Sequence, residues 1–224
     1  MFVRLACALA AAVCFAVPSA RAATVLLDDS FNAENGGAGG AEYSSFANWT
    51  AANVDLLAPG YFFNLCQAAG GGTPCLDLEG SGNGSLTSRV AYAIEPGLAS
   101  VQFDLAGDQR GRGDNTVLVS VTSLLGVTLF SEQFTRPADA PFATVLRTFS
   151  VADPVTARLA FLSGGPADSF GLLLDNVVLT SGLANGPGPV TPIPEPSTWV
   201  LLSGGLAALS TLARRRRRAA GSAS

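Results

Sequence analysis

The sequence predicts an all-β domain, an antiparallel β-sandwich of jelly-roll type, on three observations. Segments rich in β-branched residues, Leu and Phe recur at 76–78, 85–94, 100–105, 115–123, 127–134, 143–151, 157–162 and 170–180, with Gly, Pro, Asn and Asp between them. Val101, Phe103 and Leu105 alternate with polar or small residues, as do Val117, Val119 and Val121, so each segment has one face to bury. Helical periodicity is absent except in two apolar stretches near the chain ends, which are expected to be an N-terminal signal helix and one C-terminal transmembrane helix.

Taken in order, Met1 to Arg4 is a basic n-region, Leu5 to Val17 an apolar h-region, and Ala20-Arg21-Ala22 a small-x-small cleavage site. Residues 1–22 therefore read as a secretory signal peptide, with signal peptidase and the general secretion machinery as partners. Cys7 and Cys14 leave with it. Residues 23–181 form the β-sandwich ectodomain, long enough to bury a sizeable core. Within it Cys66 and Cys75 are the remaining cysteines, and in an oxidising compartment a short-range disulfide is their natural pairing; a metal pair is the alternative. Leu124-Leu125-Gly126 is a hairpin candidate. Residues 182–193 change to Gly, Pro, Asn and Thr and read as an extended linker, 194–218 as a sorting signal, and 219–224 as a short tail.

The C-terminal region has a physical logic of its own. Thr198 to Ala213 carries no charge and, as a helix rising about 1.5 Å per residue, reaches about 24 Å. Trp199 suits the aqueous interface, and Arg214, Arg215, Arg216, Arg217 and Arg218 can snorkel to headgroups and stop transfer on the cytoplasmic side. Everything before Pro194 is then placed outside, with a permanent single-span anchor as the alternative to a removable one.

Charge and missing residue types narrow the chemistry. From Ala23 to Pro196 six Arg face 17 Asp and Glu, a net charge near −11, because the other seven arginines belong to the targeting ends. So acidic a domain argues against nucleic acid as a partner. The chain has no His and no Lys, which excludes a histidine base, an imidazole zinc site and a Schiff-base lysine. No nucleophile-elbow, phosphate-loop or dinucleotide-binding pattern occurs. Acid/base work by paired carboxylates is what survives.

Pro194-Glu195-Pro196-Ser197, the apolar span and the Arg run, in that order, resemble the PEP-CTERM sorting signal of proteins exported by bacteria with an outer membrane and an exopolysaccharide matrix. The resemblance implies that Pro194, Glu195 and Pro196 are recognised by an exosortase, a membrane-embedded cysteine transpeptidase, and are not catalytic here. It also implies an inner-membrane intermediate followed by the cell surface or extracellular matrix. A looser resemblance enters with Cys75 to Ser88, Glu95-Pro-Gly97 and Val101 to Gly107, and with Gly171-Leu-Leu-Leu-Asp-Asn-Val-Val-Leu179; these are similar to the core and last strand of galactose-binding-like jelly rolls and carbohydrate-binding modules. Leu27-Asp-Asp-Ser-Phe31 fits their first strand, while Asp108-Gln-Arg110 departs from their usual neutral turn.

That second resemblance implies a structural calcium held by oxygen ligands, with Asp175 as the late ligand and Asp28 or Asp29 as the early one. Trp49, Tyr61 and Asn64 lie in an aromatic-rich first third and are candidates for stacking and hydrogen bonding a sugar; burial in the core is the competing reading for Trp49. Arg112-Gly113-Asp114 falls where a turn is expected and needs no receptor to explain it. The function expected is that of a non-catalytic binding or structural module, with exopolysaccharide as candidate ligand. A secreted carboxylate-dependent glycoside hydrolase and a purely structural matrix protein are the alternatives. The intact mass of the exported protein is expected to lack both residues 1–22 and the segment from Thr198 to Ser224; a mature mass that still contains the latter would reject transpeptidase processing.

Overall fold

Alternation sets the architecture. The computed structural model describes residues 23–183 apart from residue 73. The chain divides into a unit of Met1–Ala184 and a unit of Asn185–Ser224, and the described residues lie in the first. The expected signal helix in 1–22, the Pro194-Glu195-Pro196 motif, the expected transmembrane helix at 198–213 and Arg214 to Arg218 lie outside them. No helix among the described residues is long and apolar enough to cross a membrane.

Among the described residues, twelve strands form two antiparallel sheets that make a sandwich. In chain order they are β1 (Thr24–Asp29), β2 (Trp49–Ala52), β3 (Asp55–Leu57), β4 (Cys75–Asp77), β5 (Ser85–Ser88), β6 (Tyr92–Ile94), β7 (Gly97–Ala106), β8 (Asn115–Ser123), β9 (Thr128–Arg136), β10 (Ala143–Val151), β11 (Val155–Ser163) and β12 (Leu173–Leu183), with one short helix, α1 (Leu65–Ala68). The first sheet has the order β10-β7-β12-β4-β3, with β1 also paired to β12; the second has the order β2-β5-β11-β8-β9, with β6 also paired to β11. β12 thus carries β4 along one half of its edge, at Leu173 and Leu174, and β1 along the other, from Val177 to Ser181.

Predicted and observed strands agree where alternation is long. Residues 115–123 and 143–151 have the expected bounds. The segment 85–94 is two strands, because the chain turns at Arg89, whose N–H donates to Asn48 O at 2.7 Å. β2 and β3 were not expected: they are short, rich in Ala and Asp, and find their partners only in β5 and β4. The Leu124-Leu125-Gly126 hairpin joins β8 to β9, with Gly126 at φ +82° and its N–H donating to Ser123 O at 2.9 Å.

The inner faces meet in an aromatic chain. Trp49 packs edge-on against Phe161 at 5.9 Å, Phe161 against Phe103 at 5.3 Å, and Phe103 against Phe134 at 5.3 Å. This links strands of both sheets through T-shaped contacts that rings prefer to face-to-face stacking. A second, smaller core lies on the other face of the first sheet. Leu56, Leu76, Leu105 and Leu174 enter the main core, while their neighbours Leu57, Cys75, Ala106 and Leu173 pack with Leu65, Cys66 and Ala69. Period-two alternation explains the split. Cys66 and Cys75 form a disulfide with Cα atoms 5.9 Å apart, fixing α1 to β4.

That bond therefore holds a cover on the sheet. Replacing both cysteines with serine is expected to cost about 2–3 kcal/mol in denaturant unfolding. Amide exchange should rise first around Leu65 to Ala69, while β7, β8 and β11 remain protected. Uniform loss of protection across both sheets would show that the bond supports the whole sandwich and not its cover.

Candidate functional site

Several strand ends converge at one end of the sandwich. Asp77 of β4 and Ala106 of β7 both lie opposite Leu173 of β12, and Ser163 ends β11 opposite Val117 of β8. The connections leaving these ends, 78–84, 107–114 and 164–172, bring together residues far apart in sequence.

A buried ion pair forms the centre. Asp77, 1% exposed, accepts a hydrogen bond from Arg110 Nη2 at 2.6 Å through Oδ2, and from the N–H groups of Glu79 and Gly171 at 2.9 and 3.0 Å through Oδ1. Burial pushes its carboxyl up to about 7, opposed by the Arg110 charge and the Glu79 N–H and reinforced by nearby Asp55. Gly171 is required here, since a Cβ would collide with Asp77 Oδ1 and Glu79 N.

Arg110 is itself held from two sides. Asp108 is fully buried and accepts from the N–H groups of Arg110 and Gly111, while its other oxygen accepts from Asn115 Nδ2 at 3.4 Å. Asn115 also donates to Phe170 O, and the Arg110 guanidinium lies 4.4 Å from the Phe170 ring centroid, with Arg112 at 4.7 Å. Glu79 is fully buried and accepts from Ser163 Oγ; its Oε2 and Arg110 Nε have no hydrogen-bond partner among the described residues.

Above this floor opens a cleft of about 410 Å³, lined by Glu42, Asp55, Gly80, Ser81, Arg110 and Ser169. Asp55, across the β3–β4 ladder from Asp77, accepts from the Glu42 N–H at 2.7 Å, and burial raises its pKa. The lining thus offers carboxylates, hydroxyls and a guanidinium edge to a polar ligand. Sequence reasoning did not assemble this site. Asp108-Gln-Arg110, Cys75 to Ser88 and Gly171 stand out in the sequence, but nothing local shows that they meet.

The residues singled out from sequence fall elsewhere. Trp49 is a correction: it is fully buried, its Nε1 donates to Asp29 Oδ2 at 2.8 Å, and no face is left for a sugar. Tyr61 and Asn64 lie together between β3 and α1, Tyr61 partly buried against the smaller core and Asn64 exposed, with Oδ1 accepting from the Gly60 N–H at 2.6 Å. Asp28 is exposed on β1. Asp29 is buried and its oxygens accept from Phe31 N, Asn48 Nδ2 and Trp49 Nε1 at 2.9, 3.0 and 2.8 Å. Among the described residues no three of His, Cys, Asp and Glu group to hold a metal ion, and a calcium held between Asp29 and Asp175 would need main-chain carbonyls beside those acids. Arg112-Gly113-Asp114 lies on the β7–β8 connection, with Arg112 over Phe170.

Comparison with known proteins supplies the address. A family model described as the PEP-CTERM protein-sorting motif matches residues 192–218, so the chain carries that motif, which marks an exported protein and implies an exosortase partner. No curated protein is similar to the chain in sequence. Among solved structures, the K3 cleaved adhesin domain of Lys-gingipain from Porphyromonas gingivalis is 17% identical, with a TM-score of 0.44, covering 71% of this chain and 99% of its own. The CBM22-1 xylan-binding domain from Paenibacillus barcinonensis is 17% identical, with a TM-score of 0.42, covering 74% and 99%. The CBM35 from the same organism is 19% identical, with a TM-score of 0.39, covering 63% and 99%.

The buried acids set a pH dependence. Asp175, 4% exposed, is pushed up to about 7 by burial, with the charges of Asp104 and Asp29 adding to the effect and the Asn176 N–H opposing it. A carboxyl whose pKa is raised in the fold holds its proton more tightly folded than unfolded. Its contribution is complete below the ordinary value near 3.8 and is lost as pH rises through about 7. Asp175→Asn keeps an acceptor for the Asn176 N–H and is expected to raise Tm by about 3 °C at pH 8, with the gain vanishing towards pH 4. Thermal melts across this range check it, and an equal gain at both ends would assign the effect to packing.

Proposed function

We propose that the ectodomain of this exported protein is a non-catalytic module that binds polysaccharide in the cleft over Arg110, at the surface or in the extracellular matrix. The observation that carries the reading is the cleft itself: hydroxyls of Ser81 and Ser169, carboxylates of Glu42 and Asp55, and Arg110 surround an open space of about 410 Å³. Sugar hydroxyls both donate and accept, and such a mixed lining can match them in pairs. The floor is fixed before any ligand arrives, since Arg110 is held by Asp77 and Phe170. Tyr61 and Asn64, in the connection after β3, are proposed as further contacts at the margin of the same sheet.

Hydrolysis is the competing reading, and the Asp55–Asp77 pair is what would serve it. Asp77 is poorly placed for that work. Its oxygens already receive Arg110, Glu79 N and Gly171 N, and it is 1% exposed, so a glycosidic oxygen would have to displace an ion pair to reach it. Processing by an exosortase at Pro194-Glu195-Pro196 is proposed to set whether the module ends at the surface or in the matrix.

Glu42 and Ser81 are exposed and can be changed without touching the core. The exported chain is expected to bind at least one acidic or neutral polysaccharide on a glycan array, and Glu42→Ala with Ser81→Ala should weaken that binding at least tenfold while leaving Tm within about 1 °C. Unchanged binding would remove the cleft from the site. Release of reducing sugar abolished by Asp55→Asn would instead favour the hydrolase.

A further inference from the structure

The other end of the sandwich has a different character. There β8 ends at Ser123 opposite Ala157, β6 meets Val155 of β11, Glu95 N donates to Ser181 Oγ, and Thr24 pairs with Ser181. At this end the β8–β9 hairpin carries Leu124, Leu125 and Val127, which are 61, 93 and 58% exposed, and Val25 at the start of β1 is 56% exposed. Leu124 N donates to Thr156 O and Val127 N to Ser123 Oγ, so the turn is anchored and projects its side chains from a fixed base.

The chain leaves toward its C-terminus from this same end, since β12 runs to Leu183. Only the 14 residues 184–197 then separate Leu183 from the uncharged stretch beginning at Thr198. In an extended polyproline form, at about 3.1 Å per residue, they reach about 43 Å. The apolar hairpin therefore lies at the end of the domain from which the chain leaves.

We infer that, while the chain is membrane-anchored, the Leu124-Leu125-Gly126-Val127 hairpin docks on the outer surface of the phospholipid bilayer, with Leu124, Leu125 and Val127 entering the interfacial region. This rests on reading residues 198–213 as a membrane span. Two leucines and a valine bind lipid too weakly to hold a free domain there. A short tether changes the arithmetic, because it presents the hairpin at an effective concentration of the order of millimolar. The side chains that enter are uncharged, so the contact is apolar in origin and gains nothing from anionic lipid. Release of the tail by processing would then free the hairpin and turn the domain loose in one step. The opposite end, with the Arg110 cleft, would face outward during the anchored stage.

Full chain from Ala23 to Ser224, reconstituted in vesicles of phosphatidylethanolamine with varied phosphatidylglycerol, tests this through an environment-sensitive NBD label at Leu125→Cys and, in a separate protein, at Asp168→Cys on the 164–172 connection. The native cysteines are protected from the label by their disulfide. Expected are a blue shift and at least a twofold rise in emission at 125 but not at 168, independence from the phosphatidylglycerol fraction, and loss of the shift when Leu124 and Val127 are changed to Ser. Carbonate extraction of the same vesicles reports the span independently. A chain that resists extraction yet gives water-like emission at 125 would overturn the docking while leaving the span intact. A chain that is extracted would overturn the span and the docking with it. A shift that persists without lipid and vanishes on dilution would assign the hairpin to a second copy of the chain, and would overturn the proposal as well.

Discussion

Strand β4 is three residues long, and the period-two alternation along it ties the structure together. Leu76 points into the main core between the sheets, while Cys75 on the other face joins the disulfide and the smaller core. Asp77 ends the strand by receiving Arg110, Glu79 N and Gly171 N. A shift of register by one residue would exchange all three, putting a carboxylate into the aromatic core and a leucine under Arg110. The pairings on both sides prevent this, since Leu76 sits opposite Leu174 on β12 and Leu56 on β3. The cover over the outer face, the core and the floor of the cleft are thus set by one short ladder.

Acidic residues pose the other constraint. A domain with a net charge near −11 buries Asp29, Asp77, Glu79, Asp108 and Asp175, each of which loses hydration on folding. The structure answers with donors. Asp29 receives three N–H groups from Phe31, Asn48 and Trp49, which fixes β1 to the start of β2. Asp108 receives the backbone of its own turn and thereby shapes the loop that carries Arg110. Asp175 accepts the Asn176 N–H, and burial holds both it and the more fully bonded Asp77 well above the ordinary carboxylate range. These carboxylates act first as architecture. Their abundance in the sequence suggested cation binding or acid/base chemistry, whereas most of the buried oxygens are occupied by main-chain and side-chain donors.

What was legible in the sequence followed from local rules. The alternation of Val117, Val119 and Val121 located β8, and the pairing of Cys66 with Cys75 needed only nine residues of separation and an oxidising address. The PEP-CTERM motif was legible because its signal is linear, a tripeptide, an uncharged stretch and an arginine run in fixed order. Non-local features were not legible. Asp77 and Arg110 are 33 residues apart, and Asp77 and Gly171 are 94 apart. Nothing near any of them announces the others. Trp49 misled for a similar reason: an indole suits a sugar platform or a core equally well, and the choice lay with Phe31, Phe161 and Asp29, at other points of the chain.

Topology also decides where the chain leaves the domain. Antiparallel pairing means that every strand ending at the Arg110 cleft began at the other end or returns to it. β12 starts beside the cleft at Leu173 and runs the length of the sandwich before the chain leaves at Leu183. The last strand therefore separates the cleft from Leu183 by the stretch of β7 it pairs with, Leu98 to Ala106, eight steps of about 3.4 Å or about 27 Å. Because β12 also pairs with β1, β4 and β7, this separation is held by the most heavily bonded strand of the first sheet and cannot flex like a tether. A ligand site at the far end of such a strand stays clear of the exit point, and residues that gather around the exit meet a different environment from those around the cleft. The polar floor thus lies at one end of the domain and the exposed Leu124 and Leu125 at the other, with the length of the final strand between them.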